Sequence, residues 1–324
     1  MLTPQGLQIG VVSINNKTTR IMKMNLNNPA FLQSASNVGG NKEYISFVDA
    51  TGNPQIFQLS ANGNVTIQSI YNGEPTKQTV TNPTDTNIRI QSDANTEVIL
   101  FGKITKLNCQ PAPIGYTHFI SIDVSHAKSL TYLDCNGNQL TSLDVSANTA
   151  LTYVYCSNNQ LTSLDVSANT ALTDLDCNAN QLTSLDVSAN TALTTLNCKG
   201  NQLTSLDVSA NTALTTLRCG ANQLTSLDVS ANTALTKLYC EINQLTSLDI
   251  SANTALTDLN CGNNETLLTI DGIGVNESVA TNIASAITNA TSVDGTVTLR
   301  QGDEFNQTII DAAMDKGWDV QYYS

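Results

Sequence analysis

The chain has 324 residues, enough for two or three ordinary domains, of which 13% are charged, and it carries a formal net charge of −13. That acidity argues against nucleic acid or anionic membrane as a partner. No apolar run reaches the ~18 residues of a membrane-spanning helix, so membrane insertion is not expected. The opening MLTPQGLQIGVVSINNKTTR lacks a basic stretch followed by an apolar run, and the closing WDVQYYS lacks a lipidation motif, so neither a secretory signal nor an anchor is expected.

The first ~86 residues alternate short β-rich runs, LQIGVVSI, YISFVDA, PQIFQLS and VTIQSIY, with Gly, Asn and Pro. Residues 1–86 are expected to form a small all-β sandwich or barrel, serving as an anchor or as an oligomerisation unit that would make a homo-oligomer. The stretch NPTDTNIRIQSDANTEVILFGK should add strands joining this module to the middle of the chain. After it, Ile104, Leu107 and Cys109, then Phe119, Ile122 and Val124, read as a degraded version of a unit that soon becomes regular. Five extra residues fall inside it, in QPAPIGYTHF.

From Leu130 the chain is periodic. Cys135, Cys156, Cys177, Cys198, Cys219, Cys240 and Cys261 lie 21 residues apart, and LTYLDCNGNQLTSLDVSANTA is the first full copy. A fixed period of that length marks a solenoid, each copy one coil stacked on the last. Alternation in LxLxC puts Leu133 and Cys135 inside a short parallel strand, with Tyr132 and Asp134 facing out. The second half, Leu140, Leu143, Val145 and Asn148, obeys the same rule, so both walls should be extended, with no helix. The cysteines would then form an inward ladder at ~4.8 Å spacing. Side chains on in-register parallel strands point the same way, which disfavours a disulfide dihedral, and no CxxC pair suggests zinc. Packed free thiols are expected.

Beyond Asn264 the period breaks. NESVATNIASAITNA places Val279, Ile283 and Ile287 at helical spacing, GTVTLR reads as a strand, QTIIDAAMDKG as a helix ended by Gly317, and WDVQYY as a last strand. Residues 265–324 are thus an α/β cap, and residues 87–264 the solenoid with its N-terminal cap.

The pattern LxxLxCxxN resembles the leucine-rich repeat, with Cys in the third leucine slot, over roughly residues 104–264. The implied fold is mainly β: a right-handed leucine-rich-repeat solenoid with a parallel β-sheet, preceded by the all-β domain and closed by the α/β cap. In that family the asparagine forms a hydrogen-bonding ladder, which implies that Asn138 and its copies to Asn264 turn inward onto the backbone of neighbouring coils. Similar 21-residue repeats occur in bacterial surface proteins and in bacteriophage structural proteins. The phage resemblance implies display on a virion surface after synthesis in the host cytoplasm, with residues 1–86 holding other virion proteins. The alternative it implies is a bacterial cell-surface or secreted adhesin.

The copies also differ in an ordered way. Over residues 130–255, fifteen of 21 positions are identical, and variation concentrates at four positions around LTxLxCxxN. The candidate binding residues are drawn from these: Tyr132, Asp134, Tyr153, Tyr155, Asp174, Asp176, Asn197, Lys199, Arg218, Lys237, Tyr239 and Glu241. They should share one face of one sheet, tyrosines and aspartates towards the first coils, cations later. Tyrosine offers apolar area plus a hydroxyl, which suits a cell-surface glycan or a protein. Drift at exposed sites is the bland alternative, yet Gln139, Thr141, Ser142, Asp144 and Ser146 should include exposed sites too and do not vary.

Asp123, Asp144, Asp165, Asp186, Asp207, Asp228 and Asp249 form a carboxylate ladder on the opposite wall. Neighbours ~4.8 Å apart repel by about 0.9 kcal/mol even at water's dielectric, so hydrogen bonds from Ser, Thr or turn amides, or else calcium, must offset this. Without the dense Gly-Asp spacing of calcium-binding β-rolls, no metal or other cofactor is expected. Asp174 and Asp176 could in principle act as a carboxylate pair on glycosides, but a flat exposed wall does not desolvate an acid. No catalytic motif is present, and the only histidines, His118 and His126, sit in the irregular first unit, so no enzyme is expected.

Overall fold

The computed structural model describes residues 43–323 except 50–54, 91, 93, 95–96, 111–118, 265–268, 272–282, 285–295, 301–305 and 318. The expected strand LQIGVVSI lies outside the described residues. Beyond it, the β-rich runs become β1 (Tyr44–Asp49), β2 (Gln55–Ala61), β3 (Val65–Tyr71), β5 (Thr86–Ile90) and β6 (Glu97–Phe101). Between β3 and β5 lies β4 (Glu74–Val80), which sequence alternation does not show because its residues are exposed except the half-buried Val80. Its strand state comes from the turn instead. Asn72 and Gly73 sit at φ 54° and 76°, the two left-handed residues of a tight hairpin loop, and Tyr71 pairs with Glu74 across it.

The first unit of the solenoid supplies β7 (Ile104–Asn108) and β8 (Phe119–Asp123). One sheet runs β4-β3-β6-β1-β8; β2 and β5 belong to a second sheet, which β7 carries into the solenoid. The two sheets pack through aromatic side chains. Phe47 lies 5.5 Å from Phe57 of the opposite sheet and 4.3 Å from Phe119, and all three are buried. The degraded unit is therefore shared: β7 begins the solenoid sheet while β8 pairs antiparallel with β1. Such sharing removes an open core end, the role expected of a terminal coil.

Each regular copy gives one three-residue strand: β9 (Tyr132–Asp134), β10 (Tyr153–Tyr155), β11 (Asp174–Asp176), β12 (Thr195–Asn197), β13 (Thr216–Arg218) and β14 (Lys237–Tyr239). β15 (Ser247–Asp249) lies on the other wall, and β16 (Asp258–Asn260) closes the series. β7, β9 to β14 and β16 pair parallel in unbroken register, Leu107 against Leu133 and so on to Leu238 against Leu259. Leu130, Leu133, Cys135, Leu140 and Val145 are fully buried, as are their copies in the next coils. All eight cysteines are free and buried.

The second wall departs from the extended reading. Helix is absent from the described coils, but between β8 and β15 the second wall carries no strand either. Asp144 accepts the Ser146 amide at 3.0 Å and Val145 accepts the Asn148 amide at 2.9 Å, two local turns that take donors a ladder would need. Buried asparagines hold this wall together. Asn169 Nδ2 donates to the carbonyls of Val145 and Asn148 in the preceding coil, at 3.0 and 2.9 Å, and the pattern repeats through Asn253.

A backbone demand is hidden in the variable set. Counting from the first leucine, the eighth residue of every copy is left-handed: Gly137, Asn158, Ala179, Gly200, Ala221, Ile242 and Asn263 have φ between 51° and 70°. This turn lets the next asparagine point inward. A β-branched residue is badly suited to it, and Ile242 at φ 56° is also half exposed, with little burial in return. Ile242→Gly is expected to raise stability by about 1 kcal/mol, read as a higher denaturant midpoint.

In the C-terminal cap, β18 (Thr296–Arg300), α1 (Asn306–Lys316) and β19 (Asp319–Tyr323) match the expected pieces from GTVTLR onward, and β17 (Thr269–Asp271) is a strand the sequence reading did not include. Gly317, at φ 80°, ends α1, its amide donating to the Met314 carbonyl at 3.1 Å. Of the expected helix over 276–290 only Ile283 and Ala284 are described, both helical and buried; the rest lies outside the described residues. β15, β17, β18 and β19 form one parallel sheet, so the cap extends the second wall.

Candidate recognition surface

Register turns the variable residues into columns. The first runs Lys106, Tyr132, Tyr153, Asp174, Thr195, Thr216, Lys237 and Asp258; the second runs Asn108, Asp134, Tyr155, Asp176, Asn197, Arg218, Tyr239 and Asn260. Within each strand the residue between the two is a fully buried Leu or Val, or nearly so in β16, so both columns lie on the sheet face opposite the core. The structure therefore brings Tyr132, Asp134, Tyr153, Tyr155, Asp174, Asp176, Asn197, Arg218, Lys237 and Tyr239 onto one face. Lys199 and Glu241 come two residues after the second column, along its border.

At the first coils the three tyrosines pack on one another. Ring centroids of Tyr132 and Tyr153 are 5.7 Å apart, of Tyr132 and Tyr155 5.7 Å, and of Tyr153 and Tyr155 6.2 Å, at steep angles of 45°, 86° and 65°. Tyr155 stands in its column between Asp134 and Asp176. Burial, then the Asp174 charge and its other neighbours, push its hydroxyl up to about 12. Asp134 faces outward as expected, but it is buried there. Its carboxyl is held above the usual range by desolvation, an effect that the Asn136 amide, donating at 3.1 Å, partly offsets. The expectation that this wall cannot desolvate an acid fails here, since Asp134 is only 5% exposed. Asp174 accepts the Thr173 hydroxyl at 2.8 Å, and Asp176 accepts the Asn178 amide and side chain at 3.0 and 2.7 Å.

The later coils make contacts among their own charges. Lys199 donates to the buried Glu241 two coils away, at 2.5 Å, passing over Gly220. A Cβ at Gly220 would lie 2.6 Å from the Glu241 carboxyl carbon, so the sequence Lys, Gly, Glu along this border is one device spread over three coils. The Arg218 guanidinium lies 5.2 Å from the centre of the Tyr239 ring. Lys106, absent from the candidate set, lies 4.9 Å from the Tyr132 centroid and pairs with Asp85 at 2.8 Å. Its signal was legible: it occupies the first variable position of the degraded copy.

On the opposite wall, each carboxylate from Asp123 to Asp249 accepts the amide of the serine two residues on, at 2.8 to 3.0 Å. Asp165, Asp186, Asp207 and Asp228 are held below the usual range, first by that serine's hydroxyl and then by its amide. This is the hydrogen-bonding answer to ladder repulsion, and it explains why the Asp-x-Ser pair does not vary.

These features define the class: residues 104–264 form a leucine-rich-repeat solenoid. The family model for leucine-rich repeats in two copies matches residues 128–169 and 149–190. The functional domain of InlJ from Listeria monocytogenes, described as including a cysteine ladder, is 32% identical over 67% of this chain and 53% of its own length, with TM-score 0.47. A leucine-rich-repeat protein from Leptospira interrogans is 18% identical over 62% of this chain and 56% of its own, with TM-score 0.42. The chain thus spans little more than half the length of either. No curated protein matches it.

Proposed function

We propose that the protein is a non-enzymatic recognition or adhesion protein, binding an extracellular partner through the two-column face of its parallel sheet. The leucine-rich-repeat fold is commonly used for such binding, which supports the class. One observation carries the choice of face. Drift predicts that variation follows exposure, but in these coils it does not. Gln139, Thr141, Ser142, Asp144 and Ser146 are exposed and identical in every copy, whereas Tyr132, Tyr155, Asp174, Asp176, Asn197 and Arg218 are half-buried and variable. Variation at packed positions is costly to fold and so implies a use. The resemblance implies two displays, virion and bacterial surface, and the reading retained is surface recognition without a named carrier.

The test is binding to an array of cell-surface glycans and extracellular proteins. Tyr153→Ser with Tyr155→Ser should weaken the captured ligand at least roughly tenfold while circular dichroism stays unchanged, since aromatic anchors dominate such interfaces. Thr183→Lys, on the exposed second wall, should bind as the parent does. Loss of binding in Thr183→Lys alone would move the site to that wall.

A further inference from the structure

The tyrosine end of this face has a chemistry of its own. Three rings at 45°, 65° and 86° to one another present no flat platform of the kind a sugar ring stacks on. They form a corner instead, and Asp134, Asp174 and Asp176 stand in it or beside it at adjacent register positions. Among the described residues none of these carboxylates has a cationic partner within ion-pair distance, and the nearest lysine in the register, Lys106, is committed to Asp85. Hydrogen bonds from Thr173, Asn136 and Asn178 fix the three carboxylates in place without neutralising them.

The same face shows what such rings accept. Lys106 sits over Tyr132 and Arg218 over Tyr239, so a cation against a tyrosine of these columns already occurs twice within the fold. Tyr153, the most exposed of the three at 37%, carries no such cation among the described residues.

Resting on the recognition face argued above, we infer that the Tyr132–Tyr153–Tyr155 corner is the receptor for an arginine side chain of a protein partner. A guanidinium stacks on a tyrosine ring through its plane while its N–H fork reaches carboxylate oxygens, and this corner offers both at once. The cationic coils further along the solenoid, Arg218 and Lys237, would then exclude a uniformly basic partner and favour one whose arginine lies at one end of the contact.

The experiment is a titration of the full chain with an acetylated, amidated Gly-Arg-Gly tripeptide and with its citrulline counterpart, monitored by NMR. The arginine peptide should saturate with a millimolar or tighter Kd, weaken at least roughly tenfold on replacement by citrulline, and weaken as salt is raised. Asp174→Asn with Asp176→Asn should give a similar loss at unchanged melting temperature, and acidification towards the raised range of Asp134 should weaken binding further. Absence of saturation by 10 mM peptide, or equal affinity for citrulline, would overturn the arginine assignment. So would a neutral glucose oligosaccharide that binds in place of the peptide, is lost with Tyr153→Ala and is indifferent to the Asn pair. That outcome would leave the recognition face standing, whereas array binding that survives Tyr153→Ser with Tyr155→Ser would remove the face itself.

Discussion

Asn180→Ala should lower stability by about 3 kcal/mol, and Asn190→Ala, at a still more buried asparagine ten residues away, by only about 1 kcal/mol. Both amides belong to ladders, but the ladders differ in what they satisfy. Asn180 Nδ2 donates to the carbonyls of Cys156, Cys177 and Asn178 at 3.0, 3.1 and 3.3 Å, and its Oδ1 accepts the Leu161 amide at 3.0 Å. The cysteine carbonyls keep a second donor when it is removed, Asn159 for Cys156 and Asn201 for Cys177. The buried Leu161 amide has no such reserve, and an orphaned buried donor carries a full desolvation penalty.

Asn190 Nδ2 donates to Val166 and Asn169 at 3.0 and 2.9 Å, and both carbonyls also accept backbone amides, from Asn169 and Leu172. Its Oδ1 is buried without a partner, as in Asn148, Asn169, Asn211, Asn232 and Asn253. Truncation there deletes an unsatisfied acceptor along with the bonds, so the losses partly cancel. Urea titration of the two variants measures the gap. Equal costs would mean that the second ladder's Oδ1 atoms are satisfied, by buried water for instance.

Native thiols should be almost inert. Burial pushes Cys198 and Cys261 up to about 12, and raises the other ladder cysteines as well. At pH 8 a thiol of pKa about 12 is only ~10⁻⁴ thiolate, against about a quarter for an unperturbed one, and the sulfurs are shielded besides. A thiol-reactive chromogen should therefore label the folded chain at least roughly a thousandfold more slowly than the chain in guanidinium, where all eight cysteines react. Stability should depend on pH for the same reason. Because the folded-state values are raised, stability is full below the unfolded cysteine pKa of about 8.5 and falls as pH rises above it. The fully buried ladder should make alkaline unfolding begin near pH 9, and rapid native labelling of one residue would mark a coil that opens.

Coil and core were legible in the residues because a 21-residue period leaves one consistent inside: Leu, Cys, Asn, Leu and Val at fixed places satisfy strand alternation and burial in every copy. The turn strand β4 was not legible as a strand, since its partner hairpin and not its own side chains makes it one. The variable columns were foreseen, but not their contents. Sequence treats Lys199, Gly220 and Glu241 as three independent differences, while stacking places them at successive levels where the lysine can span the glycine. It likewise counts the eighth position as free to vary, although every occupant bends left-handed.

What the sequence alone determined is the one-dimensional order: a repeating coil, its apolar interior, its inward asparagines, and which places differ from copy to copy. Periodicity suffices for these because each coil meets only its neighbours. Tertiary structure alone decided which differing residues touch, that Asp134 is buried on the outer face, that β7 and β8 split one coil between two sheets, and that the second wall of the regular coils is held by asparagine amides rather than strands. Those outcomes depend on distances between residues a coil or more apart, which no local pattern encodes.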